Sequence, residues 1–162
     1  MQYLLSLEGR LLKHTELAQD FCNQIQDMID RKAAVILSKE ELAAWKGDYY
    51  YLAIVGVKGK SNKALRVCFD ASRKQGGNMS LNDCLYKGPD RYMNDLLSVI
   101  VGFRNGRVGA VADVSKFHNQ VHLVPEDIHM QRFLWRNMET DREPDTYAVA
   151  VNNFGITSAN CI

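Results

Sequence analysis

Apolar residues recur between positions 17 and 29 with the period of a helix. Leu17, Phe21, Ile25, Met28 and Ile29 share one face, and Glu16, Gln19, Asp20, Asn23 and Gln26 lie away from it. A surface helix opening at Thr15 is predicted. Ser38-Lys39-Glu40-Glu41 has the form of a capping box, which predicts a short second helix through Leu42 to Trp45. The pattern then changes character. "DYYYLAIVGV" (48–57) and "ALRVCFDAS" (64–72) are aromatic and β-branched, and "KGKSNK" between them supplies turn residues. Together they predict a β-hairpin with a basic tip.

Further on, "RKQGGNMSLND" has the composition of a flexible loop. "GPDRYMNDLLSVIVGF" sets Pro89 near a helix N-terminus, with Met93, Leu96, Leu97 and Ile100 as the expected buried stripe. "NGR" (105–107) turns the chain into "VGAVADVSKFHNQVHL" (108–123), which is expected to open as a strand ending at Asp113. Pro125-Glu126-Asp127 marks a turn or a short helix start. "RFLWR" and "TYAVAV" follow as two more expected strands, with the charged loop "NMETDREPD" between them. "NNFGITSANCI" has a glycine turn at the entry to a helix. No internal repeat, low-complexity tract or second domain breaks this order, which implies a single α+β unit.

The 162 residues, 46 % apolar and 24 % charged, suit one globular domain with its own core. No apolar run reaches the roughly 20 residues of a membrane span, so no membrane partner is expected. The opening "MQYLLSLEGRLLKH" has neither a basic region ahead of its apolar residues nor a small-residue cleavage site, which argues against a secretory signal. Cys22, Cys68, Cys84 and Cys161 are far apart, without a C-x-x-C pair. Reduced thiols in an intracellular protein, cytoplasmic or nuclear, fit them better than disulfides or structural zinc.

Net charge is only +1, but its distribution is uneven. Between Val57 and Lys74, Lys58, Lys60, Lys63, Arg66, Arg73 and Lys74 stand against Asp70 alone, giving 6 − 1 = +5. Such a segment is either a field for phosphates or a solvated loop. Asp113 raises a similar choice. A carboxylate at a strand end can ligate Mg²⁺ through oxygen, or it can cap the following turn.

Five segments in order carry a resemblance: "LRVCFDAS" (65–72), "SLNDCLYKGPD" (80–90), "VGAVADVSKFHNQVHL" (108–123), "PEDIHMQRFLWR" (125–136) and "VNNFGITSA" (151–159). The chain resembles the fingers and upper palm of reverse transcriptases, most closely those of BEL/Pao-type long-terminal-repeat retrotransposons. The resemblance covers nearly the whole chain. It implies a helical lead-in over 1–47, fingers over 48–107 and an incomplete upper palm over 108–162 of a right-hand polymerase.

What the family implies for single residues follows from those motifs. Asp113 takes the position of the catalytic acid that ligates both Mg²⁺ ions, and the Val114 carbonyl helps hold the nucleotide's metal. Two such ions clamp the attacking and leaving oxygens of nucleotidyl transfer. Arg66 takes the position of an arginine over the incoming dNTP, as a planar, permanently charged guanidinium can serve. Its alternative is a pairing with Asp70. Lys58 and Lys60 are candidates for the β- and γ-phosphates.

His118 stands where the family has the Phe or Tyr that excludes a ribose 2′-OH, with Phe117 one place early, and Asn160 stands where it prefers proline. Phe154, Gly155 and Ser158 resemble the turn that lines the base pair and the RNA or DNA template-primer. Gly155 lets backbone approach a substrate closely, or is an ordinary helix-entry glycine. No Tyr-x-Asp-Asp segment occurs in these 162 residues. The resemblance therefore implies a fragment of an RNA-directed DNA polymerase that does not polymerise alone. The alternatives are a non-catalytic remnant of a transposon that binds nucleic acid or protein, and a relic without a present role.

Overall fold

The computed structural model describes residues 1–58, 65–74, 79–88 and 95–159. Helix α1 (Gln2–Leu11) and helix α2 (Thr15–Asp30) come first, then strand β1 (Ala34–Ile36) and helix α3 (Lys39–Ala44). Strands β2 (Ala53–Lys58) and β3 (Leu65–Asp70) precede helices α4 (Leu81–Cys84) and α5 (Leu96–Arg104). Two 3₁₀ turns, Phe117–Gln120 and Asp127–Gln131, lead to strands β4 (Arg132–Trp135) and β5 (Asp145–Val149). The strands form two antiparallel sheets, one of order β1-β5-β4 and one hairpin, β2-β3.

The amphipathic stripe of α2 explains much of this arrangement. Phe21 and Ile25 are fully buried, and the Phe21 ring lies 5.3 Å from that of Trp135 on β4. Leu4, Leu7 and Leu11 add the inner face of α1 to the same core. Phe69 of the hairpin and Phe133 of β4 meet at 5.0 Å, so one apolar cluster joins the two sheets. Burial of such rings removes the largest apolar areas from water, which is why these positions decide packing.

Local signals act as the sequence implies in several places. The Ser38 hydroxyl accepts from the Glu41 amide at 3.1 Å, and the Glu41 carboxylate accepts from the Ser38 amide at 2.7 Å. These two bonds start α3. A second capping box, Ser80 with Asp83, starts the short α4 within the stretch expected to be a loop. The expected hairpin forms, with Val57 opposite Arg66 and Ile54 opposite Phe69. Its tip, with Lys60 and Lys63, lies outside the described residues, as do Pro89, Met93 and Asn160.

Two expectations are corrected. Residues 108–113 form no strand, and every residue from 101 to 117 is exposed, with Val108 and Val111 at 88 % and 87 %. Strand geometry needs a partner for its ladder; here the run "VGAVA" has none among the described residues, and two of its residues are alanine and one is glycine. The helix before it is real, capped by the Asp95 carboxylate accepting from the Leu97 and Ser98 amides. Its stripe is not buried: Leu96, Leu97 and Ile100 are exposed. Leu-Leu-Ser-Val-Ile-Val-Gly-Phe is apolar on all sides, so its sequence does not single out a face to bury.

One further element was not anticipated. β1 pairs with β5 in the register Ala34↔Val149 to Ile36↔Tyr147, so the lead-in is not purely helical.

Candidate nucleic-acid interface

Arg66 sits on β3, whose inner neighbour Val67 donates its amide to Gln24 of α2 at 3.1 Å. That bond holds the hairpin against α2. Between them runs an open groove of about 470 Å³ lined by Gln24, Asp27, Arg31, Arg66, Lys116 and Asn119, among others. Two regions named by the resemblance, the fingers strand and the turn after Asp113, therefore share one surface.

The turn owes its shape to Lys116, whose φ of 53° is left-handed and uncommon outside glycine. The Asn119 amide then donates to the Lys116 carbonyl at 2.8 Å, closing the 3₁₀ turn Phe117–Gln120. The Lys116 ammonium lies 3.7 Å from Asp27, which also receives two hydrogen bonds from Arg31. The hydrogen bond from Arg31, then the two positive charges, hold the Asp27 carboxyl below its usual range. Counting the lining side chains gives Arg31, Arg66 and Lys116 against Asp27, or 3 − 1 = +2. Arg66 itself makes no ion pair with a described residue. Asp70 faces Arg73 instead, at 3.6 Å, so the Arg66–Asp70 alternative does not form.

His118 is nearly buried, and its ring meets Phe154 edge-on at 4.3 Å and Phe117 at 5.5 Å. Asn152 Nδ2 donates to the Ala159 carbonyl at 2.7 Å and lies 3.3 Å from His118 Nδ1, which must accept from it. His118 is thus packed against Phe154 and Asn152, with Phe117 the exposed ring beside it.

Gly155 has φ +88°, a conformation that disfavours a side chain. Its carbonyl accepts from Asn82 Nδ2 at 2.7 Å, and the Thr157 amide donates to Asn82 Oδ1 at 2.9 Å. Asn82 also reaches Ser72 Oγ at 3.0 Å. One amide side chain therefore ties the Phe154-Gly155 turn to the end of the hairpin. Ser158 lies further along, at a separate cavity with Asn152.

Asp113 and Val114 are exposed and make no hydrogen bond or ion pair with other described residues. Among the described residues, no three His, Cys, Asp or Glu side chains gather as a metal site. One carboxylate and one carbonyl are too few donors for a pair of dications, so the described residues do not fit the two-ion centre. Lys58 ends β2 opposite Leu65.

The sequence reading brought forward neither Asn82 nor Asn152, nor the Asp27–Arg31 pair. The signals that could have found the two asparagines are the segments "SLNDCLYKGPD" and "VNNFGITSA", which contain Asn82 and Asn152.

The described chain is thus a mixed α/β structure with an antiparallel hairpin beside a cationic groove. No protein-family model matches the chain, and no curated protein is similar to it. Among the described residues no helix is long and apolar enough to cross a membrane. Cys22, Cys68 and Cys84 carry free thiols, and burial pushes those of Cys22 and Cys68 up from the usual value.

Proposed function

We propose that the chain is the fingers and upper-palm part of a reverse transcriptase, serving template-directed, Mg²⁺-dependent nucleotidyl transfer in a longer protein. The observation that carries this reading is the groove in which Arg66 of the hairpin faces Lys116 and Asn119. A fingers arginine and the turn after the catalytic acid have to share a surface if both are to touch one nucleotide. Packing of His118 on Phe154, next to Gly155, supports the same reading, because it joins two motifs 36 residues apart (154 − 118). In this reading Arg66 and Lys116 bind triphosphate, and Asp113 contributes one ligand of a metal site that other carboxylates complete.

The test is to extend the chain through its downstream coding sequence and measure Mg²⁺-dependent primer extension. Extension should occur, and Asp113→Asn should abolish it. Extension that survives Asp113→Asn would sink the proposal.

The net positive groove favours one second reading, a module that binds nucleic acid without catalysis. In that case binding of a single-stranded RNA by the chain itself weakens steeply with salt and with Arg66→Ala or Lys116→Ala. Equal binding by both variants would count against it.

A further inference from the structure

Among the described residues, Asp27 is the one acidic side chain lining the Arg66 groove, and it stands among three cations. It engages two of them. Arg31, at the C-cap of α2, donates Nε to Oδ1 at 3.0 Å and Nη2 to Oδ2. Lys116 reaches the same carboxylate from the turn after Asp113, with Nζ 3.7 Å from Oδ2. The Arg31 contact is a local, bidentate clasp. The Lys116 contact is longer than an ordinary hydrogen bond, and among the described residues it is the sole ion pair between α2 and that turn. The side chains of Asp27, Arg31 and Lys116 are 53 %, 36 % and 54 % exposed, so a ligand in the groove meets all three.

We infer that Asp27 is a built-in competitor for the phosphate site: its carboxylate occupies Lys116 until the phosphate chain of a nucleotide draws the ammonium away. The inference rests on the reading of this groove as a triphosphate site. Asp27 is the weaker rival for Lys116. It offers one negative charge, already shared with Arg31, whereas a triphosphate offers several and reaches Arg66 in the same step. The exchange strands no charge, because Arg31 keeps its clasp on Asp27 when Lys116 leaves. A groove of about 470 Å³ lies within the size range of small-molecule sites. Helix α2 thereby becomes part of the site and sets how tightly it holds an anion.

Calorimetric titration of the full chain with inorganic triphosphate, without Mg²⁺ and in about 0.1 M salt, tests this. Asp27→Asn keeps the shape and an acceptor for Arg31 but loses the charge that holds Lys116. It should tighten binding about fivefold, the upper worth of an exposed ion pair. Lys116→Met should weaken binding, and in that background the gain from Asp27→Asn should fall below about twofold. Asp20→Asn removes the same charge two turns earlier on α2, about 10 Å away and a full Debye length. It should change the affinity by less than about 1.5-fold. Asp27→Asn binding no tighter than the unaltered chain, or an equal gain with Lys116→Met, would overturn the inference and leave the triphosphate site standing. No saturable binding by either the unaltered chain or Asp27→Asn would overturn the triphosphate reading together with it.

Discussion

Arg136 grips Glu8 through two hydrogen bonds, Nε to Oε1 at 2.8 Å and Nη2 to Oε2 at 2.6 Å, across 128 residues of sequence. Both side chains are buried, and the remaining guanidinium nitrogen donates to the carbonyls of Thr140 and Arg142. The hydrogen bonds that Arg136 donates to the Glu8 carboxylate raise the Arg136 pKa above its ordinary value. A bidentate pair of this kind fixes α1 against the end of β4 with a geometry that lysine cannot reproduce.

Breaking one half of that pair is therefore worse than removing both. Arg136→Ala leaves a buried carboxylate without its partner and should lower the melting temperature by about 10 °C. The double variant Glu8→Leu with Arg136→Met should recover most of the loss. Thermal unfolding by circular dichroism checks both, and a double variant no better than Arg136→Ala would contradict the pairing argument.

His129 makes stability depend on pH. Trp45 stacks on its ring at 3.8 Å, and Arg132 donates to Nδ1 through Nε at 3.2 Å and Nη2 at 2.8 Å. Burial lowers the His129 pKa, the Arg132 charge adds to that, and Glu41 and Glu126 oppose it. In the unfolded chain the imidazole takes up its proton near pH 6.5, and in the fold only at lower pH. Between those values the unfolded state binds more protons, so this stabilisation is complete above about pH 6.5 and declines as the pH falls. Glu41, Asp83 and Asp95, whose pKa values are lowered by hydrogen bonds, act only in the more acid range below about pH 4.5. His129→Gln keeps an acceptor for Arg132 and should flatten the melting curve between pH 7.5 and 5. An unchanged slope would exclude His129 as the source.

Gly155 should resist replacement for backbone reasons alone. A Cβ there would meet the Phe69 carbonyl at 3.7 Å, an ordinary contact, so space is not the obstacle. Its φ of +88° is, and Gly155→Ala should cost about 1 kcal/mol in urea unfolding. No change in midpoint would mean that the turn relaxes freely.

Asn82→Ala should release the turn without unfolding the chain. Three hydrogen bonds disappear, including the one that satisfies the Thr157 amide. Hydrogen exchange at Thr157 should accelerate by about tenfold or more, and exchange in β5 should not. Uniform acceleration across both regions would point to global destabilisation instead.

Helix α5 should govern solubility rather than stability. Leu97 and Val101 lie one turn apart and are 68 % and 53 % exposed. Leu97→Gln with Val101→Lys should raise the soluble fraction on expression and move the melting temperature by no more than about 2 °C. A large drop in melting temperature would show that the helix packs in solution.

Legibility in the sequence followed the range of the interactions. Helix α2, the Ser38 capping box and the β2–β3 hairpin are specified by residues near one another in sequence, with no hairpin pair further apart than Ala53 and Asp70, and they could be read directly. β1 could not, because Ala34-Val35-Ile36 is strand only through its pairing with β5. The failed strand at 108–113 is the converse case: its local pattern is acceptable, but no described residue pairs with it. The site divides in the same way. Arg66 and Gly155 carry chemistry in their residue type, whereas Asn82 and Asn152 gain theirs from groups 73 and 34 positions away.

The pairing of Ala34 with Val149 has a consequence for biosynthesis. During translation, β1 must wait for 149 − 34 = 115 further residues before its ladder can exist. At about 5–20 residues per second that is roughly 6 to 23 seconds. Through that interval the nascent lead-in has only its helices, and the apolar faces of α1 and α2 are clients for whatever chaperone meets them first.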